Sequence, residues 1–556
     1  MFVRAKKSGR YEYLQVVRNV REGKQIRQQV IATLGRLDML QKTGQLDALL
    51  SSCARFADKV AVLDAVREGR VGPAEALRIG PPLVFERLWQ EAGLPQILRG
   101  LLAGRRYEFS VERAVFLTVL HRLFDPGSDR AAEVWRDGYA LQGMAGLELH
   151  QLYRAMAWLG EGLPADEQRH ATPFAPRTTK DLVEEALFAR RRDLFSRLEL
   201  VFFDTTSIYF EGEGGETLGE HGYSRDRCPQ LKQMVVGAVL DGEGHPVCCE
   251  LWPGSTTDTK TLLPVVDRLR GRFGVGSICV VADRGMVSEE TIRGLQAEGR
   301  DVRFILGMRL RHCKQVREEV LARAGRYHEV HGPREHSKDP APLKVKEVCV
   351  GDRRYIVCLN EEEARKDRHD REAILASLRD KLARGEKLLV TNRGYSRLLK
   401  THGQRRFAID EAAIEAEART DGKWVLLTDT HLEAAEVALK YKQLWRVEQL
   451  FRSIKSILQT RPIYHKCDET IRGHVFCSFL ALVLLKDLLE KLDAHGWAVE
   501  WERLQRDLDD LQQLSVEAQG KRFLLRTAPK GDAGKALQAA GVALGPVIRL
   551  CEGERR

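Results

Sequence analysis

The chain has 556 residues, 43% hydrophobic and 30% charged, with 89 Lys and Arg against 79 Asp and Glu for a formal net charge of +10. That length accommodates about three to five domains, and the balance of apolar and charged residues excludes a disordered chain, a collagen and a disulfide-stapled miniprotein. The basic surplus admits nucleic acid as a partner, because Lys and Arg bind phosphates by displacing condensed counterions. The 11 Cys never occur as C-x-x-C, so neither a zinc ribbon nor a disulfide framework is expected. No apolar stretch follows the basic N-terminus, and the longest apolar run, Val475 to Leu485, is about half a membrane span. These features predict a cytoplasmic protein with no membrane partner.

Residues 1–36 carry nine basic and two acidic side chains, a net +7. Tyr11, Tyr13, Val16 and Val17 lead to Arg21-Glu22-Gly23-Lys24, and Ile26, Val30 and Ile31 follow. Two β-prone runs around a Gly-containing turn predict a hairpin. It would either lie along a DNA backbone or be a solvated edge guarded by charge. Residues 1–80 are read as this basic arm and a linker. Residues 81–195 are read as a helical region: Val111 to Leu117, Ala131 to Trp135 and Leu149 to Leu159 have three-and-four apolar spacing. Periodicity alone favours an ordinary helical bundle over a helix-turn-helix.

The pattern changes at residues 196–308. Leu198 to Phe203 is a β-rich run stopping at Asp204. Strands at Gln233–Leu240 and Pro246–Trp252 follow, then a helix over Asp258–Phe273, a buried strand over Ser277–Ala282 ending at Asp283, a helix over Ser288–Glu298 and a strand over Val302–Leu306. The order β-β-β-α-β-α-β, an antiparallel meander followed by parallel crossovers, is that of a ribonuclease-H-like domain. Residues 309–427 are read as a mainly β insertion, with a hairpin over Leu343–Asn360, a charged helix over Glu361–Arg384 and a final strand at Trp424–Thr428. Residues 428–492 resume the core with a helical stretch from about 431 to 459 and an apolar helix over Ile471–Leu492; residues 493–556 are uninformative. The expected fold class is an α/β ribonuclease-H-like catalytic core interrupted by the insertion, preceded by the hairpin and a helical DNA-binding region.

Asp204 and Asp283 would both end neighbouring strands, where ligands bind in open α/β sheets. Either Asp alone is common turn chemistry. A third carboxylate, Glu448, lies in a helical segment where Tyr441, Glu448 and Lys455 are seven residues apart and share a face. Spacing alone favours a solvated surface for that face.

The segment from Tyr441 to Lys455 resembles the YREK signature of bacterial insertion-sequence transposases with a DDE triad. Tyr441, Glu448 and Lys455 match, as do Trp445-Arg446-Val447-Glu448 and Phe451-Arg452. The signature's Arg, three residues after the Tyr, is Leu444 here; Arg452, one turn beyond Glu448, could compensate. Gly222-Tyr223-Ser224-Arg225-Asp226, Leu231-Lys232-Gln233, Pro253 to Leu262 and Asp283-Arg284-Gly285 are similar to further blocks of the family. The basic hairpin is similar to the start of one subgroup.

The resemblance implies a cut-and-paste DNA transposase. Asp204, Asp283 and Glu448 would be the catalytic and metal-ligating triad for two Mg²⁺, replaceable by Mn²⁺, with Asp204 bridging. Water, not a side chain, would be the nucleophile. The freed 3′-hydroxyl would attack the opposite strand or target DNA. Tyr441, Lys455, Arg446, Arg452 and Arg284 would bind DNA. Trp424 would stack on a flipped base, its rival reading being a packing role. Partners implied are double-stranded DNA, as terminal inverted repeats and target, and a second copy in a homodimer, with nucleoid association when DNA is bound. The alternatives are an inactive transposase-derived DNA-binding protein and a structure-specific nuclease on the same fold.

Overall fold

The computed structural model describes residues 1–22, 25–54, 75–169, 171, 175–191, 200–275, 277–297, 300–310, 313–334, 336, 339–383, 397–402, 406–518 and 521–550. They fall into two units, one of Met1–Val84, Asp137–Ala140 and His495–Arg556, the other of Phe85–Arg136 and Leu141–Ala494.

The first unit opens with three antiparallel strands, β1 (Phe2–Ser8), β2 (Tyr11–Glu22) and β3 (Gln25–Arg36). The expected hairpin is β2–β3, with Glu22 paired to Gln25; its turn residues lie outside those described. A third strand, β1, pairs Phe2 with Val17 and Ser8 with Tyr11. It is exposed along most of its length, so no alternation of apolar and polar residues marks it in the sequence. Strand β4 (Glu75–Arg78) lies in the segment read as linker.

In the second unit, β5 (Leu200–Tyr209), β6 (Gln233–Asp241) and β7 (Pro246–Pro253) form an antiparallel meander. The Leu262–Phe273 helix then leads to β8 (Ile278–Ala282), and the Glu289–Leu295 helix to β9 (Val302–Gly307). Strand β8 runs parallel to both β5 and β9, as the expected crossovers require. The strands are apolar on both faces, and Val201, Phe203, Val280 and Leu306 join Val265 and Leu269 of the crossover helix in one buried cluster.

In the segment 309–427 most strands join the sheet of the second unit rather than form one of their own. Its strands β10 (His328–His331), β11 (Leu343–Val350) and β12 (Arg353–Leu359) join the same sheet. A separate pair, β13 (Leu399–His402) and β14 (Arg406–Ile409), follows. Then β15 (Lys423–Thr428) returns beside β9, giving nine strands in the order β10-β11-β12-β15-β9-β8-β5-β6-β7. The expectation of a mainly β insertion holds for the strands but not for the segment as a whole. The Glu361–Ala383 helix is 23 residues long and a second helix spans Glu411–Ala418, so the insertion is mixed α/β.

The helices of region 81–195 pack in this unit too. The Val111–Phe124 helix is capped by the Ser110 hydroxyl, which accepts from the Arg113 N–H at 3.3 Å. All but one of its residues are buried. It and the Leu149–Gly160 helix lie against the Asp468–Ala494 helix. The last two cross closely: a Cβ at Gly160 would strike the Glu469 carbonyl, and one at Gly473 the Met156 carbonyl.

At the far end of the chain, the Trp501–Asp509 helix precedes β16 (Gln512–Ala518), β17 (Lys521–Arg526) and β18 (Ile548–Leu550). They form a four-stranded sheet of the first unit, ordered β18-β17-β16-β4. Among the described residues, no helix is long and apolar enough to cross a membrane.

Candidate active site

Phe203 of β5 and Ala282 of β8 are register partners in parallel strands. The next residue on each strand, Asp204 and Asp283, therefore emerges at the same level of the sheet, as neighbours across a strand spacing of about 4.8 Å. Asp283 ends its strand as expected. Asp204 does not: β5 continues to Tyr209, with Thr205, Thr206 and Ser207 paired to Gly237, Val236 and Val235 of β6. β-branched Thr suits an extended chain, so the polar run after Asp204 prolongs the strand instead of turning.

The third carboxylate arrives on a different element. The expected continuous helix is broken: one helix spans Ala434–Lys442, another Trp445–Arg452, and a π-helical turn covers Ser453–Ile457. The break lies at Gln443 and Leu444, where Leu444 is buried and starts the second helix. Tyr441, Glu448 and Lys455 thus lie on three successive helical elements rather than on one continuous helix. The Trp445–Arg452 helix packs on β5, and its Glu448 reaches a cavity of about 430 Å³ lined also by Asp204, Asp283, Arg452 and Lys455. Three acidic residues from three chain segments meet there.

Two further residues complete this cavity that sequence reasoning did not single out as site residues. Asp258 accepts from the Thr205 hydroxyl at 2.8 Å and from Arg225 Nη2 at 2.7 Å. Arg225 also donates to the Thr205 carbonyl and hydroxyl and lies 3.9 Å from Asp204 Oδ1. Both sit in blocks that the resemblance had marked, the only signal that could have found them. Burial pushes the Asp204 carboxyl up to about 7; the Thr205 N–H at 2.7 Å and Arg225 oppose this, while Asp283 and Asp258 add to it. A half-buried carboxyl that is costly to ionise, facing further hard oxygen donors, fits a divalent cation. Among the described residues, the groups whose ligand atoms all lie within 4.8 Å of one another are Asp129–His465–His474 and His245–Asp487–Glu490, so the three acids are more widely spread than those.

The remaining expected site residues divide. Tyr441 donates its hydroxyl to Asp283 Oδ1 at 3.0 Å. It reaches there because Gly307 has no side chain: a Cβ would meet the Tyr441 ring at 2.9 Å. Burial and the Asp283 charge raise the Tyr441 pKa well above the usual phenol range. Lys455 binds Asp226 at 2.9 Å, a carboxylate that Arg461 also engages; burial lowers its pKa, offset in part by Asp226. Arg452 is exposed and lines the cavity. Arg446 is elsewhere, donating to the Gly242 carbonyl at 2.6 Å in the β6–β7 turn. Arg284 is exposed beside a second cavity of about 790 Å³, shared with Arg309, Arg397 and Lys423 of the insertion side. Trp424 is half-buried on β15 opposite Cys358, with Lys442 Nζ 5.7 Å from its ring centre.

Residues 196–484, more than half of the chain, match the family model described as the transposase DDE domain. The chain belongs to the DDE transposases, enzymes that act on DNA with divalent metal ions. Residues 2–66 match the N-terminal domain of IS1634 family transposases, which makes this an insertion-sequence transposase. The chain is also similar to a solved piggyBac transposase in a synaptic complex with hairpin DNA, at 10% identity over 77% of this chain and 79% of that one. The TM-score is 0.38, too distant to carry an inference. No curated protein matches.

Proposed function

We propose that this transposase binds the terminal inverted repeats of its element, cuts them hydrolytically and joins the 3′-hydroxyl ends to target DNA, through a ribonuclease-H-like core with Asp204, Asp283 and Glu448 as its catalytic triad. The observation that carries this is the single cavity into which those three acids converge from β5, β8 and the Trp445–Arg452 helix. Asp204, Asp283 and Glu448 would hold two Mg²⁺, or Mn²⁺ in their place, which supply charge neutralisation at the scissile phosphate and activation of water.

The chain's other residues position and charge-balance the substrate. Tyr441, through its hydrogen bond, fixes the rotamer of Asp283. Arg225 and Thr205 hold Asp258 and the β5 backbone beside Asp204. Lys455 exchanges Asp226 for a phosphate oxygen, leaving Asp226 to Arg461, and Arg452 contacts the same strand as a guanidinium fork. Arg446 and Arg284 contact the backbone further out, and Trp424 stacks on a base displaced from the duplex.

The +7 arm and the helices of 81–195 supply terminal-repeat recognition. Both ends are cut together, so the active species on DNA is a homodimer, acting in the cytoplasm at the nucleoid. The domain boundaries proposed are 1–80, 81–195, 196–308, 309–427, 428–492 and 493–556. Incubating the purified protein with labelled element ends and Mg²⁺ tests this reading: cut ends that also join to a second DNA support it. Cutting without joining indicates a nuclease, and binding without cutting an inactive descendant.

A further inference from the structure

Tyr223 is 85% exposed, yet its loop is pinned on both sides. Before it, Gly222 lies against the Gly254 backbone so closely that a Cβ would strike the Gly254 carbonyl; the Gly254 N–H is itself tied to the Leu218 carbonyl at 3.2 Å. After it, the Ser224 hydroxyl accepts from the Cys228 N–H at 3.1 Å, and the Arg225 N–H donates to the Ser207 hydroxyl at 3.0 Å. The Arg225 guanidinium is anchored on Thr205 and Asp258. A large aromatic ring is thus held in solvent by a loop with little freedom to withdraw it. The conformational cost of ordering the ring's support is already met in the folded chain.

The ring borders a cavity of about 360 Å³ lined by Ser255, Thr256, Thr257 and Arg309. This cavity shares Thr206, Arg225, Asp258 and Gly285 with the one that holds the three acids, so the two adjoin. Arg309 also donates to the Arg284 and Gly285 carbonyls at 2.9 and 2.6 Å, fixing it beside the turn that follows Asp283.

Hydroxyls and a guanidinium suit the oxygens of a sugar-phosphate chain, and an exposed aromatic face suits a base. Bases within a duplex have both faces covered by their neighbours, so beyond the last pair of an end such a ring suits an unpaired base. We propose that Tyr223 and this cavity form a nucleotide subsite for one unpaired nucleotide of the strand next to the cut. The base lies on the Tyr223 ring, and its phosphate faces Arg309 and the Ser255–Thr257 hydroxyls. The proposal rests on the catalytic reading of the adjoining carboxylates and adds a base-binding element distinct from Trp424.

The test uses the full chain and a pre-cut end of the element's own DNA with a short unpaired extension, in which 2-aminopurine replaces each extension base in turn. Wild-type protein and Tyr223→Phe quench the probe at one position. Tyr223→Ala abolishes that quenching and weakens binding about tenfold, with an unchanged melting curve confirming its fold. Tyr223→Ala that quenches and binds like wild type overturns the proposal, as does wild-type protein that quenches at no position. Asp204→Asn separates the two readings: it keeps the quenching on the pre-cut end while losing cleavage of an uncut element end. Cleavage by Asp204→Asn at the wild-type rate would sink the triad assignment, leaving the subsite to be decided by the quenching alone.

Discussion

Two charge clusters of the same α/β unit solve opposite problems. In one, the buried side chains of Lys180, Arg268 and Arg272 meet those of Asp181, Glu184 and Glu250. Arg272 contacts Asp181 at 2.9 Å and Glu184 at 2.6 Å, Arg268 contacts Asp181 and Glu250 at 3.1 Å each, and Lys180 donates to the Cys249 carbonyl at 2.6 Å. Neighbouring cations hold Asp181 well below the usual carboxylate range despite its burial. In the other, Asp204, Asp283 and Glu448 share a cavity with cations that are mostly occupied: Arg225 with Asp258, Lys455 with Asp226. Glu448 makes no hydrogen bond or ion pair among the described residues, and Asp204 is pushed up to about 7. The first cluster is closed by its own cations; the second leaves acids short of them, which is what the proposed metal-binding role requires.

The sharpest way to break this comparison is to remove an acid from each cluster. Asp181→Ala leaves Arg268, Arg272 and Lys180 buried with too few partners, and should cost about 3–5 kcal/mol in chemical denaturation. Asp204→Asn should do the reverse in metal-free protein. A carboxyl whose folded pKa lies near 7, above its ordinary value of 3.8, loses its stabilising contribution as pH rises from 3.8 through 7. At pH 8 the variant should therefore melt at or above the wild-type temperature. Equal destabilisation by both substitutions would erase the distinction.

How much of this was legible in the residues follows from what each depended on. Ser277 to Ala282 reads as an apolar β-run of the kind a buried parallel strand requires, and the strand Ile278–Ala282 does end just before Asp283. Asp204 was expected to end its strand but sits inside β5, because Thr205 and Thr206 read as a turn until β6 is there to pair with them. The helix break at Leu444 carries no Pro or Gly, so periodicity extended straight through it. Tyr441's role needed knowledge of Gly307, distant in sequence, whose missing side chain admits the ring. The sheet that joins Glu75–Arg78 to Gln512–Ser515 depends on pairing across more than four hundred residues, and no local pattern encodes it.

Arg225→Ala should lower the cleavage rate by about tenfold to a hundredfold, since it removes charge-assisted bonds that place Asp258 and the β5 backbone beside Asp204. Arg225→Lys, which cannot span three acceptors in a fork, should recover little. An Arg225→Ala enzyme of wild-type rate would put this pairing on the structural side of the comparison.

Trp424→Ala should slow attack of the freed 3′-hydroxyl on the opposite strand about tenfold while sparing the first nick. Equal loss of both steps would assign the half-buried ring to packing on β15 instead.

The smallest effect is one of pH. Protons compete with metal at Asp204 below about pH 7, so divalent-metal affinity should rise with pH, by up to about tenfold per unit, until it levels above 7. Calorimetric titration with Mn²⁺ from pH 6 to 8 measures the slope. A flat profile would mean that Asp204 does not ligate.

The central claim is that three acids brought together from β5, β8 and the Trp445–Arg452 helix perform one chemistry. Asp204→Asn, Asp283→Asn and Glu448→Gln, each assayed with labelled element-end DNA and Mg²⁺, test it directly. Each variant should bind the DNA yet cleave at least about a thousandfold more slowly than wild type; cleavage at the wild-type rate by any one of them would contradict the assignment.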